Sequence, residues 1–152
     1  FPRMVTYGQF RYRRWPGWFY FAATHLDHVS EPARVEAAKM LVALSRRLAQ
    51  PLILAGDFND HPDSRVYRIL TGAESPLRDS WREAGRSEEG VSTQHPFDGS
   101  FFGSRIDWIL VTPPFLVLET AIIRDNFEGR YPSDHFPYCI EVDSEFGSGQ
   151  EA

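Results

Sequence analysis

Four polar clusters stand beside apolar, strand-like segments, and they constrain the fold of this chain more than any other feature. A buried carboxylate without a partner costs several kcal/mol, so an acidic residue at a strand end needs water, a metal ion or an opposite charge. In α/β proteins, ligand sites form where the strands of one sheet end. We therefore expect a sheet that gathers these clusters at one edge. They are Thr24-His25-Leu26-Asp27-His28, Gly56-Asp57-Phe58-Asn59, Arg105-Ile106-Asp107-Trp108 and Ser133-Asp134-His135-Phe136.

The segments between the clusters predict an α/β or α+β domain. Ser30 and Pro32 form a helix start, and apolar residues then recur at helical spacing, which predicts a helix over residues 30–50. Further helices are expected at 63–70 and 77–84, a long polar loop at 85–104, and strands at 4–12, 18–24, 52–55, 106–111, 115–124 and 136–142.

Composition excludes several classes of protein. Of the 152 residues, 42% are hydrophobic and 24% charged, which fits a globular domain and excludes a disordered chain, a collagen and a coiled coil. The single cysteine, Cys139, excludes a disulfide framework and a thiolate zinc cluster within one chain. No apolar run approaches the ~20 residues of a membrane span. The net charge of -5 argues against a protein that holds duplex nucleic acid mainly through its phosphates.

One domain is expected over residues 1–142, followed by a polar tail over residues 143–152. No signal peptide opens the chain, so we expect a cytoplasmic protein. Because the chain begins with Phe1 rather than Met, we expect a piece of something longer, which leaves an upstream targeting signal open.

The oxygen donors of the clusters indicate a site for a hard divalent cation. Asp57 and Asp134 offer carboxylate oxygens, and Asn59 adds an amide oxygen. Such donors suit Mg²⁺ or Mn²⁺ better than zinc. The sequence therefore predicts a magnesium or manganese site that uses Asp57, Asn59 and Asp134.

The histidines of the clusters indicate proton transfer beside that cation. His25 and His135 can donate to phosphate oxygens or move a proton near neutral pH. Asp107 can hold one imidazole in a fixed tautomer, as carboxylates do for catalytic histidines in other enzymes. A metal ion, a histidine–aspartate pair and a second histidine together describe hydrolysis of a phosphate ester, in which an activated water attacks phosphorus in line.

The four clusters, in this order, resemble the C-terminal half of the endonuclease/exonuclease/phosphatase superfamily. The resemblance extends over roughly residues 2–142 and implies half or more of a four-layer α/β sandwich, with a mixed or antiparallel sheet and flanking helices. The matching segments are Thr24-His25-Leu26-Asp27-His28, Ala55-Gly56-Asp57-Phe58-Asn59, Arg105-Ile106-Asp107-Trp108-Ile109-Leu110 and Tyr131-Pro132-Ser133-Asp134-His135-Phe136-Pro137.

The resemblance implies a catalytic role for each histidine. His135 would be the general base that activates water, and Asp107 would orient it. His25 would stabilise the scissile phosphate or assist the leaving group. The implied activity is metal-dependent hydrolysis of phosphate esters, as a phosphodiesterase, nuclease or phosphatase.

The resemblance also implies contacts to phosphate and metal. Asp57 and Asn59 would contact the phosphate, the attacking water or a second metal ion, and Asp134 would join the metal shell. Arg105 and His95 are further candidates for substrate binding, Arg105 within its cluster and His95 within the long loop.

The chain departs from the family in one respect. Family members carry an N-terminal half with an Asn on its first strand and a metal-binding Glu in a Gln-Glu motif, whereas the Gln150-Glu151 pair of this chain stands in the polar tail. A half-sandwich alone would expose an apolar sheet face larger than soluble monomers usually tolerate. We therefore expect assembly with a partner, either a second copy as a C2 homodimer or a separate N-terminal fragment.

Four alternatives stay open on sequence grounds. Asp57 and Asn59 are also typical of a turn after a strand, and His25 of a core histidine. The chain can be a catalytically silent half-domain that works by assembly or binding. It can also bind nucleic acid through its basic N-terminal segment, although the acidic balance favours a smaller or less charged phosphoester. The basic segment comprises Arg3, Arg11, Arg13 and Arg14 with Trp15 and Trp18.

Overall fold

The computed structural model describes residues 2–13, 15–48 and 51–144, which form a mixed α/β structure. No helix within these ranges combines the length and the hydrophobicity that crossing a membrane requires. The described elements are β1 (Val5–Phe10), β2 (Phe19–His25), α1 (Glu31–Arg47), β3 (Leu52–Asp57), α2 (Arg65–Thr71), β4 (Arg78–Asp79), α3 (Ser80–Glu83), β5 (Asp107–Val111), β6 (Phe115–Ile122) and β7 (Tyr138–Ser144).

Five strands form one mixed sheet in the order β1-β2-β3-β5-β4. Strands β2 and β3 run parallel because α1 connects them as a crossover. The remaining neighbours pair antiparallel. Strands β6 and β7 form a separate antiparallel pair. The arrangement confirms the expected α/β class with a mixed sheet and flanking helices.

Helix α1 begins where the sequence predicts its cap. The Ala33 N–H donates to the Ser30 hydroxyl at 3.3 Å, and Pro32 occupies the first turn, where its missing N–H removes no hydrogen bond. The apolar side of α1 packs on one face of the five-stranded sheet, together with α2. The core that results includes Ala22, Val35, Ala38, Leu41, Leu54, Phe58, Leu70, Trp108 and Leu110.

The opposite face of the sheet is covered less completely. Ile53 and Phe115 belong to a small buried cluster there, and Phe19 packs against it. Phe10 pairs with Phe19 across β1 and β2, and side chains alternate along a strand, so Phe10 and Phe21 share this face. Phe10 is 49% exposed and Phe21 is 41% exposed. We call this surface the open face of the sheet.

The segment 77–84, predicted as a helix, begins instead with a two-residue strand. Arg78 and Asp79 pair with β5 at the edge of the sheet. The Asp79 carboxylate then accepts a hydrogen bond from the Trp81 N–H at 3.1 Å and starts α3. The helical spacing of apolar residues in the sequence does not show that Arg78 and Asp79 pair with β5 instead of joining the helix.

Strand β7 continues to Ser144, two residues into the segment 143–152 that the sequence predicts as a polar tail. Asp143 and Ser144 pair with the first residues of β6, so hydrogen bonds of the ladder outweigh the polar composition. Residues 145–152 lie outside the described residues.

A buried network of charges fixes the chain just before β5. Arg105 is 0% exposed, and its Nη2 lies 2.6 Å from Oδ2 of Asp79. Its Nε donates to Oε2 of Glu88 at 3.1 Å. The Tyr67 hydroxyl donates to the same Asp79 carboxylate at 2.7 Å, and burial together with the Asp79 charge raises the pKa of Tyr67. The network joins the loop 85–104 to β4.

We expect Arg105→Ala to destabilise the fold by about 3–5 kcal/mol, because it leaves the buried Asp79 carboxylate without its opposite charge. Arg105→Lys should restore only part of the loss, since an ammonium group cannot form the two-pronged contacts of a guanidinium. Urea denaturation measures the free energy of unfolding. Arg65→Ala, at an exposed position, is the control and should change it by less than about 0.5 kcal/mol. If Arg105→Ala lowered the free energy of unfolding as little as Arg65→Ala does, the prediction would be contradicted.

Asp27 closes the turn that leads from β2 into α1. Its Oδ1 accepts hydrogen bonds from the backbone N–H groups of Val29 at 2.8 Å and Ser30 at 2.7 Å. Hydrogen bonds to a carboxylate favour its ionised form, and the Ser30 bond is the largest contribution that lowers the pKa of Asp27. Asp27 therefore has a structural role at the start of α1.

The lowered pKa of Asp27 predicts a pH-dependent difference in stability between the wild type and Asp27→Asn. The stabilisation is fully present above the unfolded pKa of about 3.9 and is lost as the pH falls toward the lower pKa of the folded protein. The wild type should be the more stable protein at pH 7, and its advantage should shrink between about pH 4 and pH 3. Urea denaturation at pH 7, 5, 4 and 3 measures the difference, and a constant advantage at all four values would contradict it.

Candidate active site

The register of three strands places three of the predicted site residues side by side. His25 at the end of β2 pairs with Asp57 at the end of the parallel strand β3. Asp57 pairs in turn with Asp107, the first residue of the antiparallel strand β5. Directly paired residues point to the same face of a sheet, and here that is the open face, opposite α1. We call these three residues the cross-strand row.

Gly56 allows β2 and β3 to approach each other immediately before the row. A Cβ atom at this position would collide with the carbonyl oxygen of Thr24 on the neighbouring strand. Only glycine avoids that contact without a shift of the backbone. The close approach of the two strands therefore requires glycine at position 56, directly before Asp57 of the cross-strand row.

Asp57 is held at the centre of the row by a local turn. Its Oδ1 accepts a hydrogen bond from the Asn59 N–H at 2.8 Å, and its Oδ2 lies 3.5 Å from Nε2 of His25. Asn59 adopts a left-handed backbone conformation with φ of 51°, which Asn tolerates better than most residues, and its Nδ2 donates to the Leu26 carbonyl at 3.0 Å. The imidazole of His25 is mostly exposed.

His135 joins the row from the loop before β7. Its Nδ1 lies 2.7 Å from Oδ2 of Asp107, which fits an N–H that donates to the carboxylate. Burial raises the pKa of Asp107. Burial alone would lower the pKa of His135, but the charge and hydrogen bond of Asp107, with the charges of Asp57 and Asp134, outweigh it and raise that pKa.

Three donor groups of the site lie close enough to share one cation. Ligand atoms of Asp57, Asp107 and His135 all lie within 4.8 Å of one another. An open cleft of about 360 Å³ adjoins them, and Ser133 and Tyr138 also line it. The arrangement combines two carboxylates and an imidazole at a solvent-accessible position, which suits a metal ion, a phosphoryl group or both.

Asp134 and Asn59 lie at the margin of this group. Asp134 is exposed, and its backbone carbonyl accepts a hydrogen bond from the His95 N–H at 2.8 Å. The amide nitrogen of Asn59 is used by Leu26, so the amide oxygen is the atom that stays available. Metal binding by both residues stays a prediction.

The structure does not bring Arg105 and His95 to the cleft. Arg105 is committed to the buried network with Asp79, and His95 is only 3% exposed. The His95 ring stacks on Phe136 with ring centroids 4.1 Å apart, and its Nδ1 accepts a hydrogen bond from the Gly99 N–H at 3.1 Å. These placements favour a structural role for both side chains over the predicted contact with substrate.

Two residues of the loop 85–104, Gln94 and Thr93, join the site through contacts that the sequence does not show. Gln94 forms isolated bridges with both Phe102 and His135, so these three side chains share one face. Thr93 is fully buried, and its hydroxyl accepts a hydrogen bond from the Asp107 N–H at 3.1 Å. Neither Gln94 nor Thr93 lies in an apolar, strand-like segment of the sequence. Their partners in the site, His135 and Asp107, come from other segments of the chain.

Comparison with known proteins gives the context of this geometry. The model of the Endonuclease/Exonuclease/phosphatase family matches residues 4–135. An endonuclease/exonuclease/phosphatase family protein from Bacteroides thetaiotaomicron is 33% identical, with a TM-score of 0.84, over 93% of this chain and 55% of that chain. A mannosyl-6-phosphatase from Bacteroides thetaiotaomicron VPI-5482 is 33% identical, with a TM-score of 0.81, over 93% of this chain and 57% of that chain.

A more distant structure shares the fold. A humanized D. rerio TDP2 is 20% identical, with a TM-score of 0.78, over 93% of this chain and 61% of that chain. A search of curated proteins gave no match. The chain thus spans somewhat more than half the length of the solved structures that it matches. From the family match over most of its residues, the chain belongs to the endonuclease/exonuclease/phosphatase family.

Proposed function

We propose that this protein takes part in the metal-dependent hydrolysis of phosphate esters, with His135 as the base that activates water. One observation carries the proposal: Nδ1 of His135 lies 2.7 Å from Oδ2 of Asp107, beside the Asp57 carboxylate at the mouth of an open cleft. The family of the chain and its likeness to a phosphatase support the same chemistry.

In the proposed reaction, Asp107 holds the proton on Nδ1 of His135 and so leaves Nε2 as the acceptor. Water gives a proton to Nε2 while its oxygen forms a bond to phosphorus. The bond from phosphorus to the ester oxygen breaks, and that oxygen leaves with the electron pair and takes up a proton. The exposed imidazole of His25, next to Asp57, is placed to donate to a phosphoryl oxygen or to the leaving group.

The donor set of the site fits a divalent cation. Asp57 is partly exposed with one carboxylate oxygen free of backbone hydrogen bonds, and it would hold Mg²⁺ or Mn²⁺ with Asp134 and the amide oxygen of Asn59. When bound, such an ion stabilises negative charge on the phosphoryl oxygens. Hard oxygen ligands and the lack of a thiolate disfavour zinc.

A small phosphomonoester is the substrate class that we propose first. One similar structure is a mannosyl-6-phosphatase, at 33% identity. The net charge of -5 disfavours long polyanions such as duplex DNA, whose binding depends on cationic side chains.

We expect His135→Ala to lower kcat by about 100- to 10,000-fold, because it removes the general base. Chelation with EDTA should abolish the activity, and Mg²⁺ or Mn²⁺ should restore it. Hydrolysis of p-nitrophenyl phosphate, bis-p-nitrophenyl phosphate and mannose 6-phosphate is measured as released phosphate or nitrophenol. His61→Ala is the matched control, because His61 is an exposed histidine that does not line the cleft beside Asp107.

Hydrolysis that is equal in the wild type and in His135→Ala would contradict the proposal, as would activity that EDTA leaves unchanged. A wild type that hydrolyses none of these esters, with or without Mg²⁺, would favour the second candidate, a catalytically silent half-domain. The exposure of the open face favours that candidate, because an assembly module needs an unpaired surface.

We also propose that a second polypeptide layer covers the open face, supplied by another copy of the chain or by a separate chain. Phe10 and Phe21 are 49% and 41% exposed. Such apolar exposure beside a catalytic cleft is typical of a surface that pairs with another protein. The match covers only 55% and 57% of the two Bacteroides chains, so these chains contain residues that have no counterpart in this one.

Light scattering at micromolar concentration tests the assembly. We expect a dimer or a larger species, because burial of the apolar side chains removes them from water. Phe21→Asp should shift the population to monomers, since it places a charge in the contact. Met40→Asp, on the exposed surface of α1 on the other side of the sheet, should not. A soluble wild-type monomer at these concentrations would contradict the proposal.

A further inference from the structure

We propose that Thr93 is a positioning residue of the site, whose hydroxyl fixes the backbone at the start of β5 and so sets the position from which the Asp107 carboxylate receives His135. The inference deepens the proposed function and rests on it. Thr93 is 0% exposed and lies in the loop 85–104, outside the four clusters of the sequence.

The Thr93 hydroxyl holds the backbone at the start of β5. Its oxygen accepts from the N–H groups of Ile106 at 3.0 Å and Asp107 at 3.1 Å. A hydroxyl has two acceptor lone pairs and one hydrogen, so these two bonds occupy both lone pairs. The residue that carries the carboxylate is thereby fixed at its backbone.

Asp107 is therefore held at two points. The Thr93 hydroxyl binds its backbone N–H, and Nδ1 of His135 donates to its carboxylate at 2.7 Å from the side of the cleft. Thr93 thus supports the carboxylate through the backbone that carries it, and the carboxylate in turn orients the imidazole that lines the cleft.

The backbone of Thr93 binds the two segments that carry Asp107 and His135. Its carbonyl accepts from the Phe136 N–H at 2.9 Å, directly after His135. Its own N–H donates to the Ser104 carbonyl at 3.4 Å, ahead of β5. One residue therefore sets the distance between the chain segments of Asp107 and His135, and its hydroxyl fixes the backbone from which the carboxylate extends.

Thr93→Val tests the role of the hydroxyl because valine keeps the branched shape of threonine but has no hydroxyl. Thr93→Ser is the conservative variant, since it keeps the hydroxyl and loses only the methyl group. Thr112→Val is the matched control. Thr112 is also a buried threonine, and its hydroxyl accepts the Leu52 N–H at 2.8 Å, at the far end of β5 from Asp107.

The first measurement is the proton resonance of the His135 Nδ1–H, recorded by NMR on the free protein. A hydrogen bond to a well-placed carboxylate moves this resonance downfield and slows its exchange. We expect Thr93→Val to shift it upfield or to broaden it, whereas Thr93→Ser and Thr112→Val should retain it. Urea denaturation measures how much stability each of the two valine variants loses.

The second measurement is the hydrolysis of p-nitrophenyl phosphate with Mg²⁺. We expect Thr93→Val to lower kcat about 10- to 100-fold with KM unchanged, because a misplaced base slows the chemical step more than binding. Thr93→Ser should recover most of kcat. Thr112→Val should keep the wild-type kcat although it also loses a buried hydroxyl.

A resonance and a kcat in Thr93→Val that match those of Thr112→Val would overturn the inference. If Thr93→Val does not fold, Thr93→Ser provides the test. Loss of the His135 Nδ1–H resonance in Thr93→Ser would show that the methyl group of Thr93, and not its hydroxyl, positions Asp107, and would overturn the inference. A wild type without hydrolytic activity would defeat the proposed function alone, since the NMR comparison needs no turnover.

Discussion

The register between β2, β3 and β5 is the constraint on which the site depends. His25, Asp57 and Asp107 are neighbours only because each strand is aligned to the residue. A slip by one residue would turn every side chain of a strand to the opposite face. Buried residues such as Leu54 and Leu110 resist that slip, because it would expose them and bury the acids. The apolar core against α1 thus fixes the positions of the polar groups on the open face.

The protein places its charged groups in two different environments. In the network of Arg105, Asp79 and Glu88, the Arg105–Asp79 pair is buried and Glu88 is partly exposed, and together they stabilise one arrangement of the loop and β4. The group of Asp57, Asp107 and His135 stays partly exposed, with atoms left for a ligand. Arg105 of the first group and Asp107 of the second are only two residues apart at the start of β5. The buried arginine therefore fixes the backbone next to the carboxylate that contacts His135.

The sequence allows the fold class and the cross-strand row to be predicted, because each member of the row ends or begins an apolar strand. It does not show the burial of Arg105, since Asp79 and Glu88 come from separate segments. Thr93 is hidden for the same reason. Its role follows from bonds to Ile106 and to the segment of His135, and a loop without periodicity carries no local sign of them.

The parallel pairing of β2 with β3 and the antiparallel return of β5 have a consequence for folding kinetics. The row unites residues from the first and last thirds of the chain, and His135 follows later still. Contacts between such distant residues carry a large loop-closure entropy and form slowly. The pocket is thus completed only when the sheet is, and a partly folded chain has no reactive centre.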